Sequence, residues 1–546
     1  MSLDSGRQDL RTVARGGVLN FGALIGNAIA GAVLVLVVTR SGLSAHDVGV
    51  FFEAVAFFNI AVSIALWGAD VGLVRSIPRL RVLDRYRDVR RTIGVATAAV
   101  FVAGVLLAVL VQVFAEPVAR VFTREGDPAA LARSLRIVSL FLPIAGVYMA
   151  CVAATRGFGT MRVFALVDKL GLAIAQPVFV GLALALGLGV SAVVLAWIGP
   201  TLLAAAVAVV LLARMVARLE SRAGAVAQDA VPERRLFVEF WRFAAPRGLA
   251  GVFAVTVLWF HTLLLGALRS PEEAGVYSAA TRYLMLGQFA SLAIVQVVAP
   301  KLSELLSAHR RDRAREVYRT GTAWAMTVAW PVFWTMIVFA PVLLSVFGPG
   351  YEGAQQALVI LGASMLVASG TGPVDTVLLM GGKSSLNLLN TVVAVVCNVT
   401  LNLLLIPRLG MTGAAIAWGV SLLANNLLPL GEIWAIFRLH PYGRSVLTVA
   451  AASAACFGLI PLVARLAFGE SLGVFVAVEA AAVAAYVAVL LGRRHALQLP
   501  ILWDSLRARH GLGGRASTRE PDRAAEPPPA GSRASVGAPV GTEHER

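Results

Sequence analysis

Residues Thr92–Ala115 read TIGVATAAVFVAGVLLAVLVQVFA, 24 consecutive positions without a charged side chain. A bilayer core about 30 Å thick is crossed by roughly 20 apolar residues of helix, so this stretch is long enough to span. Similar runs lie at about 16–38, 49–70, 134–155, 163–187, 190–213, 242–266, 277–299, 320–346, 356–380, 386–406, 413–437, 445–468 and 471–492. With 92–115 they make about fourteen expected spans. The run that starts at Gly16 follows a short basic segment with Arg7, Arg11 and Arg15. It exceeds the apolar region of a signal peptide and reads as the first helix.

Composition agrees. Of 546 residues, 58% are hydrophobic and 14% charged, with a mean hydropathy of +0.79. Soluble domains are nearer 45–50% apolar and roughly 25% charged. A water-soluble alternative would bury all these runs in one core, and single cores stop growing near about 250–300 residues. The fold class expected is therefore an all-α polytopic membrane protein. Cys151, Cys397 and Cys456 all fall in apolar runs without a C-x-x-C pair, so neither a disulfide framework nor a zinc site is expected.

The net charge of +16 is distributed by topology. Arg75 to Arg91 between the second and third spans, Arg214 to Arg242 between the sixth and seventh, and Lys301 to Arg319 between the eighth and ninth all fall on one side. Arg40, Arg269 and Arg408 stand alone in loops on the other side. The connection between the third and fourth spans is the exception, with Arg120, Arg124, Arg133 and Arg136. The positive-inside rule then places both termini in the cytoplasm of a multi-pass protein of the cell membrane, with an even number of spans. These arginines are read as topology determinants and contacts for anionic lipids, not as a nucleic-acid surface.

The halves echo each other. LGVSAVVLAW at 188–197 matches LGMTGAAIAW at 409–418, and Gly49-Val50-Phe51 pairs with Gly275-Val276-Tyr277. The organisation expected is a cytoplasmic segment 1–15, an N-lobe of six spans at 16–213, a cytoplasmic linker at 214–241 and a C-lobe of six spans at 242–437. Two further spans occupy 438–492, and a cytoplasmic tail, largely disordered, follows at 493–546. The end of that tail is rich in Pro, Ala, Gly and Glu. Internal repeats are a common transporter plan, with the substrate site between repeats near the midplane. Pro143, Pro177, Pro200, Pro246, Pro331, Pro373 and Pro429 lie within spans and are candidate bending points.

Charges inside a span cost roughly 2.5–3.5 kcal/mol each and need a partner or a wet cavity. Arg282, in GVYSAATRYLMLGQ, is the first candidate for substrate binding, because a guanidinium grips phosphate through two parallel hydrogen bonds. Arg247 is a second substrate-binding candidate, although snorkelling to the interface explains it as well. Glu53, Asp168, His261, Asp375 and Glu432 are candidates for ion coupling, each weighed against a structural hydrogen-bonding role. Asp168 and Lys169 are adjacent, so they are expected to face apart and pair with other spans. Asp70 lies near Arg75, and an ion pair is expected there. Glu479 is the remaining acidic residue in a span. H-E-x-x-H and G-x-x-x-x-G-K-[ST] do not occur, and no D-x-D pair occurs. No catalytic residue, metal or cofactor is expected, and no loop is long enough for an ATPase domain.

Three sets of residues carry a resemblance: GLSAHDVGVFF with WGADVGLVRSIPRL, then GVYSAATRY, and above all GGKSSLNLLNTVVAVVCNVTLNLLLIPRLGMTGAAIAW. The last contains Asn387, Asn390, Asn398, Asn402, Pro407, Gly410 and Gly413. Over about 10–495 the chain resembles the multidrug/oligosaccharidyl-lipid/polysaccharide exporter superfamily, in its polysaccharide-type, Wzx-like flippase branch. The resemblance implies two six-helix lobes, alternating access, and movement of a polyprenyl-diphosphate-linked oligosaccharide between leaflets for cell-surface polysaccharide biosynthesis. It implies partners in that lipid-linked substrate, in membrane lipids and in polysaccharide-assembly proteins. The lipid II flippase branch carries an Arg in its eighth helix in a context that Tyr277 through Arg282 resembles. It also places arginines in its first helix, whereas Gly16 to Thr39 has none. The departure favours another lipid-linked oligosaccharide. Rival readings are a lipid II flippase or an ion-coupled multidrug antiporter on the same fold, a membrane polysaccharide polymerase or glycosyltransferase, and a non-transporting scaffold of a glycan-export complex. An enzyme would usually need a sizeable external loop, and the longest expected is only about twenty residues.

Overall fold

The computed structural model describes residues 22–122, 128–223 and 232–493. The expected segment 1–15 and the tail 494–546 lie outside the described residues. Among those described, helix follows helix and no strand occurs. The first half comprises α1 (Gly22–Thr39), α2 (Ala45–Leu66), α3 (Ala69–Val82), α4 (Tyr86–Phe122), α5 (Pro128–Leu140) and α6 (Leu142–Gly157). A π-helix, Phe164–Leu172, runs into α7 (Ala173–Ala185), then come α8 (Val190–Ile198) and α9 (Pro200–Ala223). The second half comprises α10 (Glu233–Leu268), α11 (Pro271–Ala280), α12 (Arg282–Ser307), α13 (Arg311–Val338), α14 (Ala340–Ser345), α15 (Gln355–Gly370), α16 (Val374–Met380) and α17 (Ser384–Phe437). The chain continues as α18 (Arg444–Ser453), a π-turn, α19 (Ile460–Phe468) and α20 (Leu472–Gly492).

Burial identifies the solvent these helices require. The apolar window of α4 has a hydropathy of 2.6 yet is only 28% buried, and that of α20 is 11% buried. Val102, Leu106, Val109 and Val113 form one exposed stripe at i, i+4, i+7 and i+11 of α4. Such faces are stable only in hydrocarbon, so this is a multi-pass membrane protein. By contrast α2 is 72% buried and forms the interior of the bundle. Within it the Asn59 amide closes onto its own backbone, donating to the Val55 carbonyl at 2.7 Å.

Among the described residues, length and hydropathy mark 10 helices as able to cross, or 12 when each bent pair counts as one. Two features separate this from the fourteen expected. α17 is 54 residues long, so about 80 Å if straight, but it breaks at Gly410 (φ 54, ψ −131) and carries two expected runs. The run at 277–299 is divided between α11 and α12 and is not among those helices. The break expected at 214–241 is helical on both sides: α9 continues to Ala223 and α10 starts at Glu233. Residues rich in Ala, Leu and Arg favour that extension into water. α4 likewise spans 37 residues, roughly 55 Å, so Arg120 near its far end stands well beyond the hydrocarbon.

Proline positions explain only some bends. α5 and α6 meet at 45° one residue before Leu142-Pro143, and Pro200 and Pro373 sit at helix starts, where a missing N–H costs nothing. Pro177, Pro246, Pro331 and Pro429 lie inside continuing helices. α10 bends by 49° near 256–258, ten residues beyond its proline. The last two spans dock on α13: the Tyr486 hydroxyl donates to the Thr327 carbonyl at 3.2 Å, and Thr335 donates to Glu479 at 2.9 Å.

Candidate functional site at the seam between the halves

The site begins with two matching helix starts. SAHDVGVF at 44–51 opens α2 and SPEEAGVY at 270–277 opens α11. In both, the serine is an extended N-cap whose hydroxyl accepts from the backbone N–H three residues on, Asp47 or Glu273. Acidic side chains in each first turn complement the helix dipole. The two starts pack against each other. A Cβ at Gly49 would overlap the Pro271 carbonyl, and one at Gly275 would lie 3.1 Å from the Gly49 Cα. Only glycine permits this backbone approach.

His46 Nδ1 meets Glu272 Oε1 at 3.1 Å, joining equivalent positions of the two repeats. Burial acts to raise the Glu272 carboxyl, but hydrogen bonds from Ser270 and the backbone, together with His46, outweigh it and hold it below its ordinary value. On the same side Arg40 donates from Nε to the Val346 carbonyl and from Nη2 to the Ser345 carbonyl, both at 2.8 Å. These contacts hold the two halves together at one end of the bundle.

Deeper along α2 lies Glu53, with no exposed surface. Neither carboxyl oxygen has a hydrogen-bond partner. Gly266 of α10 faces it so closely that a Cβ there would overlap Oε1. Next along α10, the His261 ring meets the buried Tyr277 ring edge to face at 5.0 Å, and Thr262 shares a 3.1 Å hydrogen bond with Ser278. Arg282 then opens α12 at the break between α11 and α12, about 16 Å along from Pro271 and so near mid-bilayer. Its guanidinium carbon is 5.4 Å from the Trp259 ring centre, and its Nε makes no hydrogen bond. The bend in α10 falls within three residues of Trp259. Interrupted helices that meet at this depth expose backbone and side-chain groups to a ligand.

The structure thus brings Glu53, His261 and Arg282 to one seam formed by α2, α10, α11 and α12. Arg247 is elsewhere. It lies about 18 Å from Trp259 along α10 and stacks over Phe243 at 3.9 Å. Asp168 accepts from Tyr148 at 3.0 Å and pairs with Lys169 at 2.8 Å. That pairing corrects the expectation that adjacent residues face apart. The segment is a π-helix, and the long Lys169 stem folds back toward its neighbour. Glu432 accepts from Asn390 at 2.7 Å, across the two arms of α17. Asp375 is exposed in the first turn of α16. The expected Asp70–Arg75 pair does not form: the two are five apart on α3, off a shared face, and Arg75 lies 3.7 Å over Phe243 instead.

Sequence reasoning missed His46, Glu272, Gly266 and Trp259. The first two carried a signal. Extending the Gly49/Gly275 echo upstream at the same offset sets His46 opposite Glu272. Gly266 carried none, because its role exists only against Glu53.

Fold and seam together define an all-α polytopic membrane protein. The chain belongs to the polysaccharide biosynthesis protein family, matched over residues 13–306, within the multidrug/oligosaccharidyl-lipid/polysaccharide exporter superfamily. A second family, MatE, matches residues 246–404. Among curated relatives, a probable low-salt glycan biosynthesis flippase of Haloferax volcanii, Agl15, is 25% identical over 196 residues, 36% of this chain and 41% of that one. A probable flippase of the same organism, AglR, is 25% identical over 202 residues, 36% of this chain and 42% of that one. The chain therefore spans about two fifths of the length of these relatives. In fold it is similar to the lipid II flippase MurJ in an inward closed conformation, with a TM-score of 0.69 at 12% identity over 88% of this chain and 99% of that one. It is also similar to the multidrug transporter DinF-BH, with a TM-score of 0.54 at 18% identity over 78% of this chain and 95% of that one.

Proposed function

We propose that this protein is a flippase that carries a polyprenyl-diphosphate-linked oligosaccharide across the cytoplasmic membrane by alternating access. One observation carries the reading: Arg282, at a helix break near mid-bilayer, lies on the seam between the halves with its Nε unpartnered. A fixed guanidinium there suits a diphosphate, which it can grip bidentately. Membership of the polysaccharide biosynthesis family and the names of the curated relatives support the same reading. We take residues 16–213 and 242–437 as the lobes that rock about the seam, both termini as cytoplasmic, and the protein as a transporter with no catalytic step. Polysaccharide-assembly proteins are its expected partners.

Glu53 is the favoured ion-coupling group. A bare carboxylate without donor or cation is expensive to bury, so a proton or a cation must accompany it. Asp168 and Glu432 are each held by neighbours and have less need of one. The test is a leaflet assay in proteoliposomes with a lipid-linked oligosaccharide. Loss of a charge-assisted bidentate contact is worth roughly 1.5–3 kcal/mol, so Arg282→Ala should slow translocation about 10- to 100-fold. Arg282→Lys should recover only part, since an ammonium lacks the planar fork. Wild-type rates in a well-folded Arg282→Ala protein would sink the headgroup role.

A further inference from the structure

We propose that an arginine-lined cleft between α3 and the start of α10 binds the phosphate headgroup of an anionic phospholipid. This holds whatever the protein transports. The cleft has a volume of about 530 Å³ and is lined by Arg75, Arg79, Arg235, Arg242, Glu239 and Phe243. Four guanidinium groups therefore face one carboxylate. Glu239 is engaged with Arg79 at 3.1 Å. Arg75 is fixed over one Phe243 ring at 3.7 Å, a ring that Arg247 also covers at 3.9 Å. An aromatic ring that holds two guanidiniums orients them and limits the entropy lost when an anion arrives. Among the described residues Arg235 and Arg242 form no ion pair. Both are exposed.

Apolar surface beside the cleft selects a lipid over a free anion. Phe237 and Val238, on the turns of α10 that carry the arginines, are 47% and 54% exposed. Val82 and Leu83, at the end of α3, are 82% and 51% exposed. The cleft lies where α3, which follows the end of α2, meets the polar start of α10 ahead of its apolar run, so it sits at headgroup depth. Cations that flank exposed apolar residues at that depth match a phosphate attached to acyl chains. The volume suits a headgroup, not a folded partner. Because α3 belongs to the first half and α10 to the second, the bound lipid would bridge the halves on this side, as the Arg79–Glu239 pair does.

The experiment is native mass spectrometry of the full chain in micelles doped with phosphatidylglycerol, with phosphatidylcholine as the neutral control. Wild type should retain phosphatidylglycerol preferentially. Each basic side chain near a charged surface contributes about 1 kcal/mol, so Arg235→Gln/Arg242→Gln should weaken retention roughly 10- to 30-fold. Glu239→Gln should tighten it, because the only acid leaves and Arg79 is released. Arg310→Gln/Arg313→Gln, which removes equal charge from the exposed start of α13, should change little. Four results would overturn the proposal: equal retention of the neutral lipid, an equal loss in the Arg310/Arg313 variant, weaker binding in Glu239→Gln, or complete displacement by inorganic pyrophosphate, which would assign the cleft to a free anion. Thermal unfolding of each variant separates loss of the cleft from loss of the fold.

Discussion

At Gly266 a hydrogen atom stands where any other residue would drive a methyl group into the Glu53 carboxyl. Overpacking a filled interior costs typically 1–3 kcal/mol, so Gly266→Ala should lower the unfolding temperature by several degrees. Glu53→Ala opens the space that the new methyl needs. The double variant should then recover much of the loss, with a coupling energy of about 1 kcal/mol or more in a double-mutant cycle. Additive effects would mean that the two side chains do not share this space. Glu53 itself was legible as a charge within an apolar run. Its isolation was not, because whether a buried carboxyl has donors depends on α10, more than 200 residues away in sequence.

The elements that matter most are α2 and α11, whose starts repeat one short pattern: a capping serine, acidic first-turn residues and a glycine. The glycines let the two backbones touch, and Gly49 has the Pro271 carbonyl directly against it. Gly49→Ala should force α2 and α11 apart, since a backbone atom cannot swing aside as a side chain can. The expected outcome is a protein that still folds but in which the two starts no longer close. A cysteine pair introduced by His46→Cys/Glu272→Cys would report this as at least a severalfold drop in cross-linking yield when Gly49→Ala is added. Unchanged cross-linking would show that the helices accommodate the methyl. Helix positions themselves could be read from apolar runs, with ends uncertain where α4, α9 and α10 project into water. The break between α11 and α12 could not, because no proline or glycine marks Thr281 or Arg282; it arises from how the two segments pack on different neighbours.

At the scale of the molecule, the proposed alternating access requires the halves to part at the end where His46 meets Glu272. An oxidised cysteine pair at positions 46 and 272 should therefore abolish translocation, and reductant should restore it. Full transport by the cross-linked protein would exclude opening at this end. The same contact has a pH dependence with a definite sign. The Glu272 carboxyl is held below its ordinary value in the folded protein. Its contribution is complete above the usual carboxylate pKa, about 4.3, and is lost as pH falls through the lower folded value. Acidification from about pH 6 to below 4 should thus destabilise the wild type more than Glu272→Gln in thermal unfolding. Equal losses in the two proteins would remove Glu272 from the closure of this face.

The sequence by itself determined that the chain is a bundle of membrane helices, because apolar runs about as long as a bilayer is thick admit no other solvent. It also marked Arg282, since a charge amid such a run stands out from its local context alone. Tertiary structure decided the rest. It set His46 against Glu272, placed Gly49 on Gly275, left Glu53 without a partner beside Gly266, and took Arg247 away from Arg282 to the ring of Phe243. The physical reason is one of range. The membrane acts on each span separately and writes its demand into local composition. A partner or its absence is a property of two surfaces that meet only when distant segments fold together.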